Sequence, residues 1–279
     1  MFLHLVKMRE VYMPITCNAK IEPIAKDDFH ALDYKVMGLA FAIHQKLGRF
    51  WDEAIYQNEL AYQIQKAGLG EAILEVPIHV FHHDFTKNYF MDLLLNNAVL
   101  YELKTMQALT GEHHKQALNY LLITGMHHGK LINMRPSSVE SRFVSTNITP
   151  AKRYQFSFDE TAWQDLDEDS VSLRRLVVDL VHDWGAFLST DLFYDAVIHF
   201  RGGEENVIKE VEVVEGARII GRQKKHLLNS ETAFNISAVT RNGRQHAEHL
   251  RRMIRHTNLK RMQWINFTHD LITFRTLFP

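Results

Sequence analysis

Residues 91–104 read "MDLLLNNAVLYELK", and three of them carry charge into an otherwise apolar run: Asp92 at its head, Glu102 and Lys104 at its tail. Side chains along a strand alternate between the two faces of a sheet, so Glu102 and Lys104 project from one face. The short "NNA" between the apolar runs suits a hairpin turn, which brings Asp92 on the preceding strand toward Glu102. Two buried carboxylates side by side are unfavourable unless a cation or a proton compensates them. Lys104 offers one positive charge. A divalent cation offers two and prefers oxygen ligands. Asp92, Glu102 and the backbone carbonyl of Leu103, completed by water, are therefore a candidate Mg2+ or Mn2+ site. Lys104 beside them can orient or help deprotonate an attacking water, or stabilise charge on a substrate. The competing reading is a purely structural ion network of the same side chains.

Two other segments supply partners. In "EHHKQALNYLL", Gln116 and Tyr120 stand four apart on one helix face, where they can orient the lysine, a water or a phosphate. Glu53, in "RFWDEAIY", lies on an earlier helix and can approach from another side. The seventeen histidines invite a zinc reading, but they include adjacent pairs (His82 and His83, His113 and His114, His127 and His128) whose rings point apart. Neither HExxH nor CxxC occurs, so no zinc site is expected. Gly202 and Gly203 read as a helix stop rather than a phosphate-binding loop. Trp163, Trp184 and Trp264 read as core residues.

The elements that must position these groups follow from the periodicity. Residues 33–68 read as two amphipathic helices, the first closed by Gly48 and the second near Gly68 and Gly70. The period then shortens, and "AILEVPIHVF", "YFMDLLLN" and "AVLYELK" read as strands. "EHHKQALNYLLITG" is a helix closed by Gly125, "GKLINM" a short strand, and "RPSSVESRFVST" a loop. The order is α-α-β-β-β-α-β, an α/β fold. The second half has a long helical stretch to Phe200, three strand-like runs, the helix "RQHAEHLRRMIRHT" and the strands "MQWINF" and "LITFRTLF".

The halves align over each other without a gap from the second strand to the last. With Tyr101 on Phe234, an offset of 133, Leu94 and Leu95 fall on Leu227 and Leu228, His113 on His246, and Ile132 and Asn133 on Ile265 and Asn266. Tyr56 reaches Tyr194 after a gap. The residues with chemical potential do not repeat. Asp92 falls on Lys225, Glu102 on Asn235, Lys104 on Ser237 and Gln116 on His249. The expectation is a domain at 30–145 that carries a site, and a degenerate copy at 171–279 that has lost it and packs against the first as a pseudo-dimer.

Asp92, then Glu102-x-Lys104, then a helix with Gln116 and Tyr120 resembles the PD-(D/E)XK nuclease superfamily and its restriction-endonuclease-like αβββαβ core. Residues 30–140 resemble more closely the GxxExxY proteins placed in that superfamily, keeping Glu53 and Tyr56. Phe50 stands where the glycine of that motif is expected, and Met91 stands where the proline of "PD" is expected. The resemblance implies metal-dependent hydrolysis of phosphodiesters in nucleic acid, DNA favoured over RNA, with Mg2+ or Mn2+. It implies Asp92 and Glu102 as metal ligands, Lys104 as catalytic lysine, Glu53 as an additional acid for a second metal, and Gln116 and Tyr120 as the helix motif. One intact site predicts nicking or strand trimming rather than a symmetric double-strand cut. The alternative is a nucleic-acid-binding or protein-interaction module without turnover.

Composition sets outer bounds. The 279 residues are 46% apolar and 23% charged, with formal net charge −1. That excludes a protein that coats nucleic acid by bulk charge, but leaves room for a local basic patch. Residues 218–261 hold eleven arginines and lysines against Glu231 and Glu248, with an acidic counterweight in "FDETAWQDLDEDS". A solvated helix face is the plainer account of that patch. The single Cys17 excludes an intrachain disulfide. No apolar run approaches the ~20 residues of a membrane helix. The opening "MFLHLVKMREVYMP" lacks a signal-peptide pattern, so a cytoplasmic protein is expected, with Met1, Met8 or Met13 as its start.

Overall fold

The computed structural model describes residues 14–279; Met1, Met8 and Met13, the three candidate starts, lie outside the described residues. The first half comprises β1 (Ile15–Cys17), α1 (Lys26–Leu47), α2 (Glu53–Lys66), β2 (Ala72–His82), β3 (Phe85–Leu95), β4 (Val99–Lys104), α3 (Gly111–Thr124), β5 (His128–Asn133) and β6 (Glu140–Ser145). After α4 (Pro150–Arg153) and β7 (Ser157–Ala162) come α5 (Glu168–Trp184), α6 (Thr190–Phe200), α7 (Glu204–Val207), β8 (Ile208–Glu215), β9 (Arg218–His226), β10 (Thr232–Ser237), α8 (Gly243–Arg255), β11 (Arg261–Thr268) and β12 (Leu271–Leu277).

The first sheet runs β1-β2-β3-β4-β5-β6, with β4 and β5 parallel and the other neighbours antiparallel. Alternation sorts its residues between two cores. Leu93, Leu95, Tyr101 and Leu103 pack under α1 and α2. Met91, Leu94 and Leu100 pack against α3 on the opposite face. Glu102 and Lys104 share the parity of Leu100 and therefore face α3. Met91 and Leu94 belong to one core and Leu93 to the other, so the alternation of β3 breaks at Asp92, opposite Glu75 with its φ of 50°. Asn96 and Asn97 turn the β3–β4 hairpin with φ of 53° and 55°, a conformation asparagine tolerates better than most residues. The Asn96 side chain pins that turn, accepting from Glu71 N at 2.9 Å and donating to Leu69 O at 3.0 Å. Thr110 caps α3 in a capping box with His113, and Gly125 ends it with φ 79°.

The second half repeats the element order around a sheet β10-β11-β12-β7 and a separate β8-β9 ribbon. The registers of β10–β11 and β11–β12 match those of β4–β5 and β5–β6 residue for residue at the 133 offset. Leu100 faces Gly129 as Ala233 faces Met262, and Gly129 faces Val144 as Met262 faces Leu277. Asn133 exchanges side-chain bonds with the backbone of Met106, and Asn266 does the same with Val239. The hairpins differ: β3 pairs β4 at three positions, whereas among the described residues β9 and β10 are joined by the bridge Leu227–Ala233, just past the end of β9.

One apolar core crosses between the halves. Leu173, Val177, Trp184 and Phe193 of α5 and α6 lie between Ile78 and Met91 of the first sheet and Phe234, Ile265 and Phe274 of the second. Trp184 Nε1 donates to Phe81 O at 2.8 Å, and His82 meets Asp183 at 2.6 Å. Three details depart from the sequence expectations. "RPSSVESRFVST" contains the edge strand β6, in which only Val144 is buried. The long helical stretch before Phe200 is two helices, broken at Gly185 with φ 81°. Trp184 and Trp264 are core residues as expected, while Trp163 is only partly buried against that core. Among the described residues no helix is long and apolar enough to cross a membrane.

Candidate active site

Glu102 and Asp92 meet where the β3–β4 ladder stops. Regular pairing ends at Leu93 opposite Tyr101. Beyond it, side chains take over from the backbone. Asp92 Oδ2 accepts from Leu103 N at 2.8 Å, and Glu102 Oε1 accepts from Asp92 N at 3.3 Å. The two acids thus satisfy the strand amides that their own divergence exposes. A strand residue directs its N–H and C=O to the same side, so the Leu103 carbonyl also faces the β3 side. The Lys104 carbonyl faces β5, where it accepts from Met134 N.

Lys104 Nζ stands among three carboxylates: 3.3 Å from Glu102, 3.4 Å from Asp92 and 3.7 Å from Glu53. Glu53 is the first residue of α2 and reaches the lysine from the far side of the strand end. Glu102 is fully buried. Burial, reinforced by the Asp92 charge, pushes its carboxyl up to about 8. Burial likewise raises Glu53, against the pull of Lys104. Burial pulls the Lys104 ammonium down, but Glu102, Asp92 and Glu53 outweigh it and hold it above the ordinary lysine value. Lys104 is therefore a held cation at neutral pH. The cluster keeps an excess of acid over base, which a second cation would relieve.

Gln116 Nε2 donates to Tyr120 OH at 2.9 Å, so this pair is assembled but engages itself rather than the lysine. Burial raises the Tyr120 hydroxyl to about 12, with Glu102 and Asp92 adding to the shift. Beside the pair lies a cavity of about 220 Å³, lined by Lys87, Tyr89, Lys115, Asn119 and Asp195 among others. The structure thus gathers Asp92, Glu102, Lys104 and Glu53 in one cluster, with Gln116 and Tyr120 at its side.

Sequence reasoning missed Glu75. It sits on β2 across from Asp92, between the pairs Leu74–Leu93 and Val76–Met91, with φ 50°. Burial and the Asp92 charge raise its carboxyl. A lone glutamate in the apolar run "AILEVPIHVF" was the available signal. Among the described residues no three His, Cys, Asp or Glu side chains are gathered into a metal-binding group. The Lys104 ammonium occupies the space between the carboxylates instead.

Residues 30–144 match the family model of the PD-(D/E)XK nuclease superfamily, whose members are generally hydrolytic nucleases that use divalent metals. The matched segment contains the whole cluster. A crystal structure of SSO0001 aligns with 45% of this chain at 17% identity and a TM-score of 0.28. The chain spans 61% of the length of that protein. No curated protein matches the sequence.

Proposed function

We propose that this chain hydrolyses phosphodiester bonds in nucleic acid, DNA before RNA, in a metal-dependent reaction at the Asp92, Glu102 and Lys104 cluster. The observation that carries the reading is the Lys104 ammonium held within 3.3–3.7 Å of three carboxylates at a point where two strands part. The donors fit a hard divalent cation: they are all oxygen, and they outnumber the one lysine. Asp92, Glu102 and the Leu103 carbonyl would hold Mg2+ or Mn2+, with Glu53 as a further acid. Bound there, the metal would offset phosphate charge and lower the pKa of water. Lys104, held charged, hydrogen-bonds the attacking water or a phosphate oxygen and steadies negative charge as it develops. Gln116 and Tyr120 orient the phosphate from the cavity side. The nearer likeness to GxxExxY proteins is supported by Glu53 at the cluster and by Tyr56, whose hydroxyl donates to Gly48 O at 2.7 Å.

We read the second half as a degenerate copy of the first. Support comes from the matched registers and from the paired roles of Asn133 and Asn266. At the matching positions Lys225 and Asn235 border a cavity of about 550 Å³. Lys224, Lys225, Arg218, Arg241 and Arg244 make no ion pair within 4.0 Å among the described residues, whereas their neighbours Arg222, Arg255 and Lys260 do. These free cations suit a phosphate backbone.

The test is cleavage of labelled linear and circular DNA, and of RNA, with Mg2+ or Mn2+. Cleavage that EDTA stops and that Lys104→Ala lowers by about 100-fold or more supports the reading. Absence of cleavage with either metal, or an undiminished rate in Lys104→Ala, rejects it.

A further inference from the structure

Residues 48–52 lead into α2 and present two aromatic side chains to solvent: Phe50 is 74% exposed and Trp51 49%. The loop is fixed rather than slack. Tyr56 OH donates to Gly48 O, Trp51 N donates to Tyr56 OH at 3.4 Å, and Trp51 Nε1 donates to Leu47 O at 2.8 Å. The polar edge of Trp51 is thereby occupied, and its ring is held in place. The Arg49 guanidinium lies 5.0 Å from the Phe50 ring centre and that of Arg135 6.0 Å. Neither arginine has a carboxylate within 4.0 Å among the described residues, in contrast to the arginines that do. Asp52, the one acid of the loop, is the N-cap residue of α2.

This group adjoins the cluster through Thr105. Its carbonyl accepts from Arg135 Nε at 3.2 Å, and its backbone amide faces the Glu53 carboxylate. Met106, next along, is 52% exposed. Two exposed rings and two guanidinium groups with no carboxylate within 4.0 Å among the described residues thus stand beside Glu53 and Thr105, at the edge of the acidic cluster. Aromatic faces beside arginines suit unpaired bases, whose π-faces are open, together with the phosphates that connect them. A paired and stacked duplex hides those faces.

We propose that Phe50 and Trp51, flanked by Arg49 and Arg135, form a stacking platform for unpaired nucleotides that directs a single-stranded segment or frayed end into the Asp92, Glu102 and Lys104 cluster. The proposal rests on the nuclease reading and adds its substrate form.

The test is binding of fluorescent oligonucleotides in Ca2+, single-stranded, blunt duplex and tailed duplex, to wild type and Phe50→Ala/Trp51→Ala, with Phe50→Tyr/Trp51→Phe as the conservative control. Both side chains are exposed, and a thermal melt checks that each variant is folded. The expected result is that the alanine pair weakens single-strand and tailed binding by about tenfold or more while blunt-duplex binding holds, and that the aromatic pair restores it. Equal losses on all three substrates, or no loss, overturn the platform and leave the nuclease reading standing if metal-dependent cleavage persists. Wild type that binds no nucleic acid at all and cuts none overturns both, and the exposed rings are then a protein-contact surface.

Discussion

The two hairpins of this molecule share a register and differ in what lies at the place where they part. In the first half the strand amide of Leu103 is satisfied by the Asp92 carboxylate. In the second half the matching amide, that of Ile236, is satisfied at 2.7 Å by the hydroxyl of Tyr194. Lys225 stands where Asp92 would, and cannot accept a hydrogen bond. The tyrosine supplies the acceptor that Asp92 supplies in the first half, and Asn235 also turns its amide to that hydroxyl at 3.4 Å. The contrast teaches that Asp92 has a structural duty which another residue can take over. Its charge, together with Glu102 and Lys104, is the part that no other residue replaces.

Cleavage gives the largest way to break that contrast. Lys104→Ala should lower the rate by about 100-fold or more, whereas Asn235→Ala, at the counterpart of Glu102, should leave it unchanged in the same oligonucleotide assay. Equal effects would dissolve the distinction between the halves.

Stability against pH sharpens it. The folded-state pKa of Glu102 is raised to about 8, so its contribution to stability is present below the ordinary carboxylate pKa and is lost as pH rises toward 8. Glu102→Gln, which makes the first site neutral at this position like the second, should therefore melt above wild type by several degrees near pH 8. The gap should shrink toward pH 5. A gap that stays constant from pH 5 to 8 would show that Glu102 is not held against its charge.

The smallest expected effects lie in the paired tyrosines. Tyr194→Phe leaves the Ile236 amide without its acceptor and should cost about 1–3 kcal/mol in denaturant unfolding. Tyr56→Phe removes the bond to Gly48 O and the acceptor of Trp51 N, both in a loop open to water, and should cost only about 0.5–1.5 kcal/mol. A reversed order would contradict the assigned roles.

Much of this was legible in the sequence because the signals were periodic. Val99 to Lys104 alternate between two cores, so the shared face of Glu102 and Lys104 followed directly, whereas the break in alternation between Met91 and Leu94, at Asp92, did not. The matched runs at 133 residues could be read because buried residues such as Leu94 and Leu227 hold equivalent register positions. The edge strand β6 escaped notice since a strand with one buried residue has no alternation to read. Glu75 stood out as a lone glutamate in an apolar run, but its place opposite Asp92 depends on a left-handed backbone position that the period of the strand does not show. The parting of β9 from β10 was also hidden. The first seven residues of β9 are exposed, so its strand pattern says nothing about which neighbour it pairs. The basic patch was visible, but not that Glu248 and Glu231 engage Arg251, Arg252, Arg255, Lys260 and Arg261, while Lys224 and Lys225 have no carboxylate within 4.0 Å among the described residues.

The most direct measurement of the central claim is thermal melting with and without Mn2+, for wild type, for Asp92→Ala/Glu102→Ala, and for a chain in which Lys225→Asp and Asn235→Glu place acids in the second half. A metal that binds only the folded state raises the melting temperature. The account predicts a Mn2+-dependent rise in wild type, none in the first variant, and no added rise in the last, whose hairpin is held by a single bridge. A rise that persists without Asp92 and Glu102, or no rise in wild type, would contradict it.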